Sequence, residues 1–421
     1  MIISSKTCRK IIHFQLMFVM VEMFFISQFH LPSIITYTTD IVAAILLIYM
    51  LYAYKTGLKR IRANYVGILI FLFVVVSILG ALVNFVSPLL IMWGARNVFR
   101  GFIFFVACIR FLDEMDIKKI FDILFKFQIV NVVLSLFQYF VQGYNQDHLG
   151  GIFGTQSGCN GYTNVFFFIL LSYYVAAYMT KKEPLWKVAI IAVSTMLLAG
   201  LAELKIFYFE FVLIILMCVI FAKPSLKTIS IALIAVIAAV LGLKILETMF
   251  PLQYYYLVNF DQYLTMQSGG YNIPRIGAFS YINEHFFNGN IIKELFGFGL
   301  GNCEMSSFSF LVSDFYKSYG HYNYRWFSHM MFYLEEGVIG FGLLLTILAG
   351  IFVYATKSRK IFERFGKSLH IAIFTQVLVI MVVVNLWYNQ AIRTEAQYLI
   401  YMALALCFIQ VKSIMTQRRR I

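Results

Sequence analysis

The stretch Tyr65–Ser87, YVGILIFLFVVVSILGALVNFVS, decides how this chain folds. No charged residue interrupts it, and Lys55, Lys59, Arg60 and Arg62 stand just before it. About 20 apolar residues let a helix cross a hydrocarbon core, so the run reads as a membrane span entered from a basic break. It is continuous rather than alternating in hydrophobicity, which excludes a transmembrane β-barrel strand.

Working outward, the same reading gives an all-α, polytopic membrane bundle of about twelve helices. They are expected at 11–29, 38–54, 65–87, 89–110, 118–142, 161–180, 186–202, 204–222, 228–249, 326–355, 369–389 and 394–413. Every second break between them is basic: Lys6, Arg9 and Lys10; Lys55 to Arg62; Arg110, Lys118 and Lys119; Lys181, Lys182 and Lys187; Lys223 and Lys227; Lys357 to Lys367; and Lys412 with Arg418–Arg420. The alternate breaks are nearly free of Lys and Arg, apart from the long connection near 250–325. This asymmetry is the positive-inside pattern. It puts both termini in the cytoplasm of a bacterial inner membrane and the long connection at 251–325 outside. The chain divides accordingly into an N-terminal bundle (1–250), an extracytoplasmic loop with short helices (251–325), and C-terminal helices with a basic tail (326–421).

Composition agrees. The chain is 61% hydrophobic with 13% charged residues, which excludes an ordinary soluble globule. The net charge of +14 follows from the loop bias and points to anionic lipid rather than nucleic acid. The first apolar run, Ile11–Phe29, is of spanning length without a small-residue cleavage site and reads as a retained helix. Cys159 and Cys303 fall in external breaks and are expected as two unpaired thiols, a disulfide between them being the alternative.

The outer loop is far longer than most connections. It opens on Gln253-Tyr254-Tyr255-Tyr256, turns at Gly269-Gly270 and offers a helix from about Pro274 to Phe287. Gly297-Phe-Gly299-Leu-Gly301 follows, and with no strand before it this is a turn rather than a nucleotide loop. The external carboxylates Asp261, Glu284, Glu294, Glu304 and Asp314 show no paired arrangement, so no metal site and no cofactor are expected.

Basic residues that break the charge pattern are the functional candidates. Arg96 and Arg100 lie four apart inside a span, where an ionisable group is costly unless paired or wet; a structural ion pair with Glu22 or Glu210 is the competing reading. Lys205 sits at the outer end of a helix in Ala202-Glu203-Leu204-Lys205, where snorkelling to headgroups is the plainer account. Arg393 occupies the last external turn. Arg275 is read just inside a helix start, where it would reinforce the N-terminal dipole toward an anion. Arg325, His329, Tyr333 and Glu336 are spaced as one helical face. His329 is the best general-base candidate, with Glu336 as a carboxylate able to orient it; a hydrogen-bonded interfacial histidine is the alternative.

At these residues the chain resembles the Wzy-type O-antigen polymerases and O-antigen ligases. The resemblance spans about 60–410 and rests on Gly151-Ile-Phe-Gly154 with Asn160-Gly161, Ala202–Lys205, Arg275, Leu295–Gly301, and His329 with Leu334-Glu335-Glu336-Gly337-Val-Ile-Gly340. It implies a GT-C-like, metal-independent glycosyltransferase acting on undecaprenyl-pyrophosphate-linked oligosaccharides at the outer membrane face, with a chain-length regulator as a partner. Lys205 and Arg275 would then clamp the diphosphate, joined by Arg325, Arg393, Arg96 and Arg100, and His329 would activate the acceptor hydroxyl. Lys205 stands where ligases usually carry Arg, which leans toward a polymerase of O-antigen or capsule; Met330 and Met331 follow His329, so the ligase-like His-Asn pairing is absent. An O-antigen ligase, and a lipid-linked glycan flippase, are the alternatives.

Overall fold

The computed structural model describes residues 5–55, 65–222 and 272–418, with a few isolated helical positions between 237 and 255. Regular structure among the described residues is entirely helical. Helices α1 (Ser5–Phe29), α2 (Thr38–Lys55), α3 (Tyr65–Val83), α4 (Pro88–Phe111), α5 (Glu114–Phe140), α6 (Asn160–Met179), α7 (Leu185–Leu201) and α8 (Lys205–Phe221) form the first part. A connecting segment carries the short α9 (Ala278–Ile282), α10 (Ile291–Phe296) and α11 (Asp314–Tyr319), and α12 (Ser328–Arg364), α13 (His370–Leu386) and α14 (Gln397–Arg418) complete the bundle.

Among the described residues, eight helical stretches are long and apolar enough to cross a membrane: those of α1 to α6, α12 and α14. Helices α7, α8 and α13 are shorter, at 17 residues each. The span expected at 228–249 falls largely outside the described residues, as do Gln253, Tyr256, Asp261 and the Gly269-Gly270 turn.

Helix starts follow local chemistry. Ser87 caps α4 by accepting from Leu90 N–H, with Pro88 in the first turn where a missing N–H costs nothing. Asp113 and Asp116 form a reciprocal capping box at α5. Burial then sorts the helices. The apolar windows of α6 and α14 are 83% and 78% buried, against 28% for α3. Helices α6 and α14 are therefore the axis of the bundle, and α3 presents its apolar surface outward. Helix α14 packs along α4, α6 along α13 and α8, and α12 along α13 and α3.

Two expectations are corrected at the connecting segment. The helix foreseen from Pro274 begins only at Ala278, because Gly277 adopts a left-handed φ of 85° just before it. Arg275 consequently lies in the preceding turn and gains nothing from a helix dipole. The helix foreseen at 326–355 begins at Ser328 and breaks at Gly337, whose φ is 63°. Arg325 belongs to a separate single turn, Asn323–Trp326, so it does not continue the face of His329, Tyr333 and Glu336.

The break at Gly337 explains the glycine-rich stretch before it. Unwinding frees the Leu334 and Glu335 carbonyls, which accept from Phe298 N–H at 2.7 Å and Gly299 N–H at 3.0 Å. A β-carbon on Gly337 would overlap the Leu295 carbonyl, and one on Gly301 would overlap the Leu90 carbonyl in α4. Gly297–Gly301 is thus a strap laid backbone to backbone across α12, α3 and α4. Gly151–Phe153 is a comparable plug: Gly151 exchanges hydrogen bonds with the Gln138 amide at 2.7 and 2.9 Å, and Ile152 N–H donates to Asn131 at 2.9 Å.

Candidate functional site

Three of the eight candidate residues come together, from three distant parts of the chain. Lys205 opens α8 two residues after Glu203, which turns the α7–α8 hairpin with a φ of 52°. Its ammonium lies within electrostatic reach of Arg275, Glu203 and Asp147. The Arg275 guanidinium lies 4.6 Å from the Phe327 ring centre and 5.9 Å from that of Tyr388, both distances suited to cation–π contact. Asp147 accepts from Asn160 at 2.7 Å, and Gln146 donates to Glu203 at 3.0 Å, so the rim of this patch is tied to α6 and to the α7–α8 turn.

His329, the second residue of α12, is fully buried beneath Arg275. Its Nε2 lies 3.3 Å from the Arg275 carbonyl oxygen and its Nδ1 lies 3.0 Å from the Leu386 carbonyl oxygen. Trp387 stacks on the imidazole with ring centres 5.1 Å apart and planes at 15°. Below it, Tyr333 donates to Asn283 at 2.8 Å and stacks on Phe279 at 4.3 Å. Among the described residues no carboxylate contacts the ring, so the expectation that Glu336 orients His329 is corrected. Glu336 lies about 10 Å further along α12, two turns on, and faces Ser77 on α3 instead.

The remaining cations do not join this patch. Arg325 reaches Met305 Sδ at 2.7 Å and stands 5.2 Å from the Tyr316 ring centre, on the connecting segment itself. Arg96 and Arg100 are ion-paired inside the bundle, but not with Glu22 or Glu210. Asp40 takes Arg96 Nε at 2.8 Å and Arg100 Nη1 at 2.9 Å, and Glu395 takes Arg100 Nη2 at 3.1 Å. Tyr162 donates to the other oxygen of Glu395 at 2.9 Å. Arg393 is clasped between Glu304 of the connecting segment and Glu335 of α12. Burial opposes its charge, yet the two glutamates more than offset this and hold the guanidinium above its ordinary pKa. Each of these three arginines is held directly by a carboxylate: Arg96 by Asp40, Arg100 by Asp40 and Glu395, and Arg393 by Glu304 and Glu335.

Sequence reading missed Asp40, Glu304 and Glu335 as partners, and Asn323, Leu386 and Trp387 as supports. The partners lie 56 to 89 residues from the arginines they hold, a separation at which spacing carries no signal. Glu395 was visible as a neighbour of Arg393, but it serves Arg100 on another helix. Chemically, the patch offers two cations above an aromatic floor and one imidazole whose orientation is locked. That suits an anion carried next to an apolar or sugar-like surface. Comparison with models of known protein families and with curated proteins finds no match to this chain.

Proposed function

We propose that the chain is a Wzy-type polymerase of oligosaccharide repeat units, for O-antigen or capsule. It transfers the growing glycan from undecaprenyl pyrophosphate to an incoming lipid-linked unit. The observation that carries this reading is the juxtaposition of Lys205 and Arg275 above His329, three residues singled out separately. Displacement at an anomeric carbon sheds a diphosphate that gains negative charge, and two fixed cations in a poorly hydrated cleft stabilise it without a metal. Imidazole beside them is suited to take the proton of an acceptor hydroxyl.

In this reading the bundle has about twelve spans, both termini are cytoplasmic, and the connecting segment with its patch faces the periplasm of an inner membrane. A lipid-borne diphosphate reaches the bilayer surface, the level of Lys205 at its helix end. The diphosphate set shrinks from six cations to Lys205 and Arg275, the two that share the patch over His329.

The test is glycan length in a deletion strain of the source bacterium, complemented with this gene. Single-repeat glycans that lengthen on complementation support a polymerase. Accumulated lipid-linked polymer would replace it by the ligase reading, and unchanged glycans would remove both. Cysteines placed at 150 and 320 are expected to label from outside, and at 183 and 360 from inside.

A further inference from the structure

The two ring nitrogens of His329 both face carbonyl oxygens, those of Leu386 and Arg275. A neutral imidazole has one N–H and one lone pair. It satisfies one carbonyl and must point its lone pair at the other. With Nδ1–H donating to Leu386 at 3.0 Å, the lone pair of Nε2 is directed at the Arg275 oxygen 3.3 Å away. Nε2 is therefore covered by the backbone of the same residue whose side chain faces the proposed diphosphate position.

That cover is held from one side by the Asn323 amide. Buried Asn323 accepts from Ile273 N–H at 2.8 Å and donates to the Ile273 carbonyl at 3.1 Å, two residues before Arg275. On the other side stands Gly277, whose left-handed φ of 85° makes the bend into α9. The turn has a clamp at one end and a glycine bend at the other.

We infer that Asn323 is a positioning residue that holds the 273–277 turn closed over His329 Nε2, and that drawing the Arg275 side chain onto an anion lifts the turn and uncovers the base. The inference rests on the transferase reading for its purpose, though its geometry does not require that reading. It makes base exposure conditional on donor binding, so that water is not activated before a diphosphate is in place.

The experiment is diethyl pyrocarbonate modification of His329 in the purified full chain, followed by peptide mass spectrometry, with and without inorganic pyrophosphate. The wild type is expected to react slowly alone and at least about fivefold faster with saturating pyrophosphate, the factor set by one hydrogen bond of clamp. Asn323→Ala is expected to react fast under both conditions. Asn323→Asp, which keeps the acceptor for Ile273 N–H, should fall between them and serves if the alanine variant does not fold. Arg275→Ala keeps the backbone cover, so it should react slowly and ignore pyrophosphate. A wild-type rate indifferent to pyrophosphate, an asparagine variant as slow as the wild type, or a pyrophosphate response surviving in Arg275→Ala would each overturn the inference. Loss of polymer in Arg275→Ala with the pyrophosphate response of labelling retained would remove the cover and leave the transferase standing. Pyrophosphate-gated labelling in a chain whose deletion leaves glycan length untouched would do the reverse.

Discussion

Asp40 and Arg100 meet at 2.9 Å inside the bundle, joining α2 to α4, and Asp40 also holds Arg96 on the same helix. Each guanidinium lies against aromatic rings as well, Arg96 at 4.7 Å from Trp93 and Arg100 at 5.6 Å from Tyr398. Buried pairs of this kind gain little over a well-packed apolar contact, but removing one partner strands the other charge. Their consequence is seen on breakage.

Arg100→Ala is accordingly expected to cost about 3–5 kcal/mol of stability. Asp40→Asn with Arg100→Gln should cost less than the two single changes summed. Thermal unfolding in detergent, arranged as a double-mutant cycle, reads the coupling. Strict additivity would mean that the two groups do not interact.

For the patch itself, Lys205→Ala and Arg275→Ala should each lower polymer synthesis by about 100-fold while membrane insertion stays normal. Arg325→Ala should leave synthesis at the wild-type level, because its contacts are Tyr316 and Met305. Polymer yield per inserted protein checks all three. Equal loss in Arg325→Ala would return that residue to the anion set.

His329→Ala and His329→Gln are both expected to abolish polymer, since glutamine keeps a hydrogen bond but takes no proton. Glu336→Gln should retain polymer with an unaltered pH profile, because its carboxyl faces Ser77 and not the imidazole. Rates measured across pH decide it: a changed profile in Glu336→Gln would place that carboxyl in the proton path.

Gly301→Ala and Gly337→Ala each force a β-carbon into a backbone carbonyl at a positive φ. Strain of this kind costs about 1–3 kcal/mol before any displacement of the strap is counted. Lower melting temperatures and faster proteolysis within 272–327 are expected, with Gly342→Ala, where a β-carbon meets nothing within 4 Å, as the neutral control.

The sequence disclosed some layers of this molecule better than others. Continuous apolar runs such as Tyr65–Ser87 place their helices directly, because spanning length and hydrophobicity are local properties. Lys205 and Arg275 were also legible, as cations in positions the charge pattern disfavours. What eluded reading depends on distance along the chain. Nothing near Arg393 says that Glu304, 89 residues earlier, will neutralise it. Nothing near His329 says that a carbonyl 57 residues later will fix its ring. The spacing of Arg325, His329, Tyr333 and Glu336 misled for a simpler reason: periodicity assumes one helix through all four, and this one starts only at Ser328, after Arg325.

The strap at 297–301 grips α12 through peptide groups, the Phe298 and Gly299 N–H groups donating to the Leu334 and Glu335 carbonyls. That part of its hold does not depend on which side chains stand at the two carbonyl positions, provided the glycines stay. Such an attachment lets the exposed face of the connecting segment be rewritten residue by residue while its seat on the bundle is kept. A chain built this way can take up a new surface on that segment without relearning how to dock it.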